Sequence, residues 1–505
     1  MIGGAGMKKN NQSLKILMIA SECTPIVKAG GLGDVIGALP KNLDKMGHQV
    51  RIILPRYYSI DLNRWGFQKI IRDVAIKLPN GKNERITVYR SFLPDTFVPI
   101  YLIENKNYFQ GSEGGPYKFS GKRGRLAYVF LSRAALELLK IWDWQPDVVH
   151  CHDHMTAIAA KWLHTINKDD PFYQPIASVL TIHNTYQGSY KWYYLKYFGL
   201  SKKDFEVECK YVKLKGISVF AAGIEAADMI NTVSPTYAHE ITTKKYGAGL
   251  YKLFRTKRGR LFGILNGIDY GLFDPRVDEN VICNYDEKHL EGKIKNKLEL
   301  QKKFGLPQTA DLPLICIVSR MTAQKGLDLF DDVLKQLMDM GAQFIILGSG
   351  QDKIEKIFVK AEKDYPKQVA TNIEFNADLA QFVYAGSDML LMPSKFEPCG
   401  LSQIIAMRFG TIPLVRKTGG LADTVRDHYT GFVFKDYDAH AMLWVIRQAV
   451  DKFYNDKEGW KKMIIRCMKK DFSWKASAKR YVRLYKKAIS YHNNNHMKDD
   501  ARKAD

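Results

Sequence analysis

The chain has 505 residues, 46% of them hydrophobic, which is enough apolar material for two or three folded domains. No apolar run approaches the roughly 18 residues of a membrane-spanning helix, so no membrane span is expected. The seven cysteines show no paired spacing, which favours reduced thiols and a cytoplasmic protein.

The net charge is +23, and a charge of this size is compatible with binding to nucleic acid or another polyanion. The lysines are dispersed along the chain instead of being gathered in one tract. This dispersal favours solvated helix faces, so we expect no nucleic-acid partner.

The first legible unit is a predicted strand at Lys15–Ala20, a helix ending near Met46 and a second strand at Val50–Leu54. The helix follows a loop that contains one lysine and three glycines, Lys28-Ala-Gly30-Gly31-Leu-Gly33-Asp34. The spacing is not the G-x-G-x-x-G of dinucleotide sites. A lysine with several glycines suits the close approach of a phosphate or sugar to backbone N–H groups.

Histidines follow two further predicted strands. Asp147–Val149 leads into three alternating histidines, His150, His152 and His154, which would share one side of an extended segment and resemble metal ligands. The ligand set is unusual and no second cluster accompanies it, so we expect no metal. Ile176–Ile182 leads into His183-Asn184, for which a capped turn is the alternative.

The second half begins after a charged linker at 275–312, within which we predict a helix near Lys293–Phe304. Leu314–Val318 starts a new sheet and runs into a loop with Arg320 and Lys325. Two cations on a strand-to-helix loop suit a diphosphate, although surface salt bridges are an alternative. Phe375 is predicted either to contact a nucleotide base or to lie in the core.

Residues 387–425 alternate strand and helix, with strands at Met389–Met392 and Ile412–Val415 and a helix at Leu401–Phe409. Glu397 lies in the first loop, at the sheet edge where open α/β sheets bind ligands. The backbone N–H groups at the helix start suit a phosphate, namely those of Gly400, Leu401 and Ser402. A carboxylate beside a phosphate site indicates a nucleotide sugar.

Several of these motifs together resemble the bacterial glycogen synthase and plant starch synthase family. They are Lys-Ala-Gly-Gly-Leu-Gly-Asp-Val at 28–35, Ser-Arg-Met-Thr-Ala-Gln-Lys-Gly at 319–326, Pro-Ser-Lys-Phe-Glu-Pro-Cys-Gly-Leu at 393–401 and Thr-Gly-Gly-Leu-Ala-Asp-Thr-Val at 418–425. The likeness runs from Lys15 to about Ser490. It departs from the family at His154-Met155, where Trp-His or Trp-Gln is usual, and in a loop after Asn184 that is one residue shorter.

The resemblance implies an α/β protein of the GT-B fold, with two Rossmann-like domains facing each other across a cleft. The expected segments are an acceptor-side domain at 1–270, a nucleotide-sugar domain at 271–473, a helix at 474–492 crossing back to the first domain and a polar tail at 493–505.

The resemblance also implies a cytoplasmic hexosyltransferase. Its expected partners are a nucleotide sugar donor, ADP-glucose or UDP-glucose, and an α-1,4-glucan whose 4-OH accepts glucose with retention of configuration. No cofactor is expected. An inactive glucan-binding protein of the same fold, or another retaining nucleotide-sugar glycosyltransferase, is the alternative.

The residues implied to be catalytic are Glu397, His183, Arg320 and Lys325. The residues implied to bind the donor are Lys28, Gly31, Gly33, Asp34, Asn184, Asn266, Cys399, Gly400, Leu401 and Ser402.

Overall fold

The computed structural model describes residues 13–109, 114–119, 124–186, 188–212, 216–374 and 376–504. The chain divides into two compact units. The first contains the residues up to Asn231, then Thr242–Phe262 and the chain from Ala478 onward; the second contains Thr232–Ile241 and Gly263–Ser477. The short excursion at 232–241 differs from the continuous segment 1–270 expected from the sequence.

The first sheet, among the described residues, has nine strands in the order β3-β4-β5-β2-β1-β6-β7-β8-β9. In chain order they are β1 Lys15–Ile19, β2 Gln49–Pro55, β3 Gln68–Lys77, β4 Asn83–Phe92, β5 Pro99–Glu104, β6 Val148–His152, β7 Ala177–Ile182, β8 Met229–Thr232 and β9 Leu261–Gly263. β1 pairs in parallel with β2 and β6, whereas β3, β4 and β5 form an antiparallel edge. Apolar residues fill β1 because both faces of a central parallel strand are covered.

The second sheet has six strands within the described chain, in the order β12-β11-β10-β13-β14-β15. They are β10 Leu314–Val318, β11 Gln343–Leu347, β12 Val369–Asn372, β13 Met389–Met392, β14 Ile412–Arg416 and β15 Phe432–Phe434. Every pair in this sheet is parallel. Numbered within the sheet, this is the doubly wound order 3-2-1-4-5-6 of Rossmann-type domains.

Helices connect these strands in both units. The α-helices are Gly31–Asp44, Ala127–Ile141, Asp153–Thr156, Ile158–Leu163, Leu195–Phe198, Glu206–Tyr211, Val219–Ala226, Pro235–Glu240, Tyr251–Thr256, Glu291–Lys303, Leu334–Met338, Asp352–Asp364, Ala377–Gly386, Ser402–Arg408, Gly419–Thr424, Ala439–Asn455, Lys457–Lys469 and Trp474–Ala504. Tighter 3₁₀ turns are Trp192–Tyr194, Lys202–Phe205, Arg258–Arg260, Ala323–Lys325 and Leu327–Val333.

The predicted strands at Leu314–Val318 and Met389–Met392 are confirmed at the same residues. The strand predicted to lead from Asp147–Val149 into the alternating histidines is β6, Val148–His152, which includes His150 and His152 but ends before His154. The final helix runs from Trp474 to Ala504, so residues 493–504 are helical and do not form a separate polar tail. Within the described ranges, no helix has the length and apolarity needed to cross a membrane.

Candidate active site

The second sheet brings two loops together at its topological switch point. β10 and β13 are neighbours in the sheet, although they are distant in the chain. The loop after β10 carries Lys325, and the loop after β13 carries Glu397. Ligands of open α/β sheets bind at this edge. The fold therefore brings these two predicted residues to one place in the second unit.

Lys325 and Glu397 form an ion pair. Lys325 Nζ lies 2.6 Å from Glu397 Oε2, and the two side chains are 15% and 8% exposed. The Ser394 hydroxyl donates to the same carboxylate oxygen at 3.0 Å. Little solvent screens this pair, so its charges act strongly on each other and on any ligand beside them.

Arg416, which the sequence reasoning missed, donates hydrogen bonds to the backbone of the loop that contains Glu397. This residue ends β14 and is only 4% exposed. Its Nε donates to the Ser394 carbonyl at 2.7 Å, and its other nitrogens donate to the carbonyls of Lys395 and Lys435. An arginine directly after an apolar strand was the available signal.

Two glycines allow the backbone of the next helix to pack closely against the same loop. The Gly420 N–H donates to the Glu397 carbonyl at 3.1 Å. A Cβ added at Gly419 would lie 1.9 Å from the Glu397 carbonyl oxygen, and one at Gly420 would lie 2.0 Å from that of Cys399. The Gly-Gly sequence is therefore required by backbone packing around Glu397.

The helix after this loop begins at Ser402, one residue after its predicted start. Gly400 has a left-handed φ of +71°, and Leu401 precedes the first helical residue. The Ser402 hydroxyl donates to the Val318 carbonyl at the end of β10, at 3.3 Å. This bond ties the two loops of the switch point together. Phosphate binding at this helix start stays a prediction.

The remaining predicted residues of the second unit have different environments. Cys399 is buried, and burial raises the pKa of its thiol to about 12, against the effect of a hydrogen bond to the Asn266 backbone. Asn266 is also buried, whereas Arg320 is exposed on the loop after β10. The exposed Arg320 guanidinium is accessible to an anion, and Cys399 supports the loop as a neutral thiol.

In the first unit, the loop predicted between β1 and the first helix is shorter than expected, because the helix begins at Gly31 and so includes Gly33 and Asp34. Lys28 Nζ lies 2.6 Å from Asp34 Oδ1 in the first turn of that helix. Gly33 is buried, whereas a Cβ added at exposed Gly31 would meet nothing within 4 Å. Gly31 thus borders open space at the start of the helix, and donor binding there stays a prediction.

Glu22 organises this loop, and the sequence reasoning did not single it out. It is 1% exposed, and its Oε2 accepts the Gly30 N–H at 2.7 Å. Its Oε1 accepts the Tyr117 hydroxyl at 2.8 Å. A carboxylate shortly after the first apolar strand was the available signal.

His183 and Asn184 follow β7 as predicted, and Asp153 holds their backbone. Asp153 Oδ1 accepts the N–H of His183 at 2.7 Å and that of Asn184 at 3.4 Å. Burial raises the pKa of Asp153 to about 7, while the two N–H groups oppose that rise. Asn184 is exposed and His183 is half-buried, so both are accessible from solvent.

His152 and His183 are in direct contact. His152 Nδ1 lies 3.1 Å from His183 Nε2. Burial lowers the pKa of His183 to about 3 and lowers that of His152 well below its usual range, an effect that neighbouring histidines strengthen for His152. Both rings are therefore neutral at pH 7.

The prediction that His150, His152 and His154 share one side of an extended segment is wrong. Asp153 has φ +55° and turns the chain, so that His154 lies in the helix Asp153–Thr156. The His154 ring stacks on Tyr186 with centroids 4.0 Å apart. Two other predicted features, Phe375 and the Gln187 position of the shortened loop, lie outside the described residues.

A doubly wound sheet with paired charges at its switch point, together with a second parallel-rich sheet, fits the class of GT-B glycosyltransferases. Two protein-family models match the chain. The family described as "Starch synthase catalytic domain" matches residues 15–256, and the family described as "Glycosyl transferases group 1" matches residues 299–464.

Similar proteins extend this match over nearly the whole chain. Glycogen synthases from Thermosipho melanesiensis and Thermotoga maritima are each 40% identical, over 94% of this chain and 99% of theirs. The catalytic domain of starch synthase IV from Arabidopsis thaliana, solved with ADP and acarbose, has a TM-score of 0.85 and 31% identity, over 95% of this chain and 100% of that one. The chain belongs to the glycogen synthase and starch synthase family, and it is a hexosyltransferase.

Proposed function

We propose that this protein transfers glucose from a nucleoside diphosphate glucose to the non-reducing 4-OH end of an α-1,4-glucan, with retention of configuration. The names of the similar glycogen synthases support a glucan product. The ADP in the related starch synthase structure favours ADP-glucose as the donor, with UDP-glucose as the alternative.

The observation that carries the proposal is the ion pair between Lys325 and Glu397 at the switch point. In the proposed reaction, negative charge grows on the departing diphosphate while positive charge grows on the sugar ring. Lys325 and the exposed Arg320 stabilise the former, and Glu397 orients sugar hydroxyls and offsets the latter. Charges held in position before the reaction stabilise such a transition state effectively.

The proposed step is a displacement on one face of the sugar. The acceptor 4-oxygen forms a bond to C1 as the bond from C1 to the β-phosphate oxygen breaks. The acceptor proton passes to an oxygen of the departing diphosphate, so the atoms balance without a protein nucleophile.

The first unit contributes a second set of residues to the proposal. Lys28, with Gly31, Gly33 and Asp34, is assigned to the donor phosphates, and Asn184 is assigned to the donor as well. His183 is assigned to the sugar near its 6-OH. A neutral, half-buried imidazole suits a hydroxyl partner, because both are hydrogen-bonding groups without net charge.

A cytoplasmic location and the lack of a cofactor stay predictions. All seven cysteines are free thiols, which agrees with a reducing compartment. In the proposal the cations Lys325 and Arg320 take the place that a metal ion holds in other enzymes that release diphosphate.

The experiment that tests the proposal is incorporation of labelled glucose from ADP-glucose and from UDP-glucose into glycogen, measured in parallel. We expect incorporation from at least one donor, with a higher kcat/KM for ADP-glucose. Binding of glycogen without incorporation from either donor would contradict the proposal and favour the inactive glucan-binding alternative.

A further inference from the structure

His152 is a buried histidine in contact with His183 in the first unit, and the packing of the fold does not require an imidazole there. It ends β6 and is completely buried. Its backbone N–H donates to the Thr156 hydroxyl at 2.7 Å, so the backbone here is satisfied without the ring. Among the described residues, the ring has one hydrogen-bonding contact, from Nδ1 to His183 Nε2 at 3.1 Å.

The other ring nitrogen of His152 decides which way the proton lies. His152 Nε2 is buried and has no hydrogen-bond partner among the described residues. A neutral imidazole carries one proton, on Nδ1 or on Nε2. If the proton were on Nε2, a buried N–H would remain unpaired, and such a donor bears the full desolvation penalty. The proton therefore belongs on Nδ1, which then donates to His183.

The proton on His152 in turn fixes the state of His183. Because His183 Nε2 accepts this bond, its own single proton must lie on Nδ1. The half-buried His183 ring can then only donate, through Nδ1–H, to an oxygen that approaches it. Burial lowers the pKa of both histidines, so neither gains a second proton near pH 7.

His150 keeps the arrangement in place from the next position on the same face of β6. Its ring packs on that of His152 with centroids 4.1 Å apart. His150 Nδ1 lies 2.9 Å from the Tyr485 hydroxyl, and Nε2 lies 2.7 Å from the Thr181 hydroxyl. Both ring nitrogens of His150 thus have hydroxyl partners, whereas Nε2 of His152 has none among the described residues.

We infer that His152 is a positioning residue that fixes His183 as the Nδ1–H tautomer, so that His183 presents a hydrogen-bond donor to a hydroxyl oxygen of the sugar being transferred. The tautomer part depends on the His152–His183 contact and on the unpaired His152 Nε2, and does not depend on the proposed function. The part concerning the sugar rests on the proposed function.

The direct test is ¹⁵N NMR of the histidine rings in the full-length protein, because it reports which nitrogen carries the proton. The His183 signals are assigned by comparison with His183→Gln. We expect protonated Nδ1 and unprotonated Nε2 at His183 in the wild type. Protonated Nε2 at His183 would overturn the inference, whether or not the protein transfers glucose.

Two variants of similar size separate the hydrogen bond from packing. His152→Asn can keep a donor near the Nδ1 position, whereas His152→Leu cannot. We expect His152→Leu to lose the fixed tautomer and to lower kcat about 10-fold or more, with little change in the KM for the glucan, and His152→Asn to restore most of both. Unchanged kcat and tautomer in a folded His152→Leu protein would contradict the inference.

A double-mutant cycle adds a readout that a merely structural role would not move. If His152 acts through His183, His152→Leu should have little further effect on kcat in a His183→Ala background. An equal loss in both backgrounds would contradict the inference. Should His152→Leu fail to fold, the wild-type NMR result and the His152→Asn variant still decide the question.

Discussion

At the scale of single residues, substitution of Lys325 tests the proposed chemistry most directly. Its ammonium pairs with Glu397 and its side chain is 15% exposed, so the ammonium is fixed in position before any ligand binds. Lys325→Ala should lower kcat by about 10²-fold or more, because it removes charge stabilisation of the departing diphosphate. Lys302→Ala is the matched control, since Lys302 pairs with Glu299 on the surface and is 64% exposed. Equal activities of the two variants would refute the role given to Lys325.

Gly419 is a second residue with a sharp expectation. It has φ +42°, and a Cβ there would lie 1.9 Å from the Glu397 carbonyl oxygen. Gly419→Ala should therefore destabilise the protein by about 3 kcal/mol or more and reduce activity, since the Glu397 loop must move. Gly341 also has a positive φ, of +71°, but open space around it.

Gly341→Ala thus isolates the backbone strain, which is about 1–2 kcal/mol, and should leave activity unchanged. Denaturant unfolding and kcat of the two variants provide the comparison. A Gly419→Ala protein as stable and active as Gly341→Ala would show that the close contact is not required.

Individual site residues were predictable where a motif fixes them, and their contacts were not. Glu397 and Lys325 each follow an apolar strand that the sequence reveals, but 72 positions separate them, so their ion pair depends on strand order. Glu22 and Arg416 were missed because each acts on the backbone of a loop and not on a ligand. His154 was misplaced because one left-handed residue, Asp153, ends the strand early.

At the scale of elements, the last helix is held in the first unit by a charged cluster at His492. His492 Nδ1 lies 3.2 Å from both oxygens of Asp228, and its Nε2 lies 2.8 Å from the Gln174 carbonyl. His164 Nε2 also lies 3.2 Å from Asp228. Since both His492 nitrogens face oxygens that accept, the protonated imidazole fits best.

This cluster predicts a pH dependence of stability. Burial lowers the pKa of His492, but the hydrogen bond and charge of Asp228 outweigh burial and raise it. The stabilisation is thus complete below the ordinary value of 6.5 and is lost as pH rises through the folded-state pKa. Asp228 has the opposite sign: its pKa is lowered, so its contribution holds above 3.8 and is lost as the solution becomes more acidic than its folded-state pKa.

The measurement is the difference in melting temperature between the wild type and His492→Ala, recorded from mildly acidic to alkaline pH. It should be largest below the ordinary value of 6.5 and should shrink as pH rises through the raised pKa of His492, because the imidazolium is lost. A difference that is independent of pH would show that His492 contributes by packing alone.

The helix containing His492 also shows why the sequence did not predict where the helix ends. Apolar spacing at Tyr481 and Tyr485 predicts the helix, and both side chains are buried. The pattern stops near His492, and the polar residues beyond it carry no apolar face to indicate a helix. Short buried strands such as Leu314–Val318 were located accurately because a run of apolar residues flanked by turn residues has few other interpretations.

For the molecule as a whole, the proposal requires no metal ion for turnover. The cations at the switch point are side chains, and none is removed by a chelator. Activity should therefore be the same with and without excess EDTA, after dialysis to remove metal carried through purification. A loss of activity that Mg²⁺ or Zn²⁺ restores would assign to a metal the charge stabilisation that we give to Lys325 and Arg320.

The central claim, retaining transfer of glucose to a glucan, is tested most directly by NMR of the product formed from ¹³C-labelled ADP-glucose or UDP-glucose and a maltooligosaccharide acceptor. The account predicts that the label appears as a new α-1,4-linked residue at the non-reducing end. It also predicts that Lys325→Ala makes the same product much more slowly. A β-linked product, release of the label only as free glucose, or no transfer from either donor would contradict it.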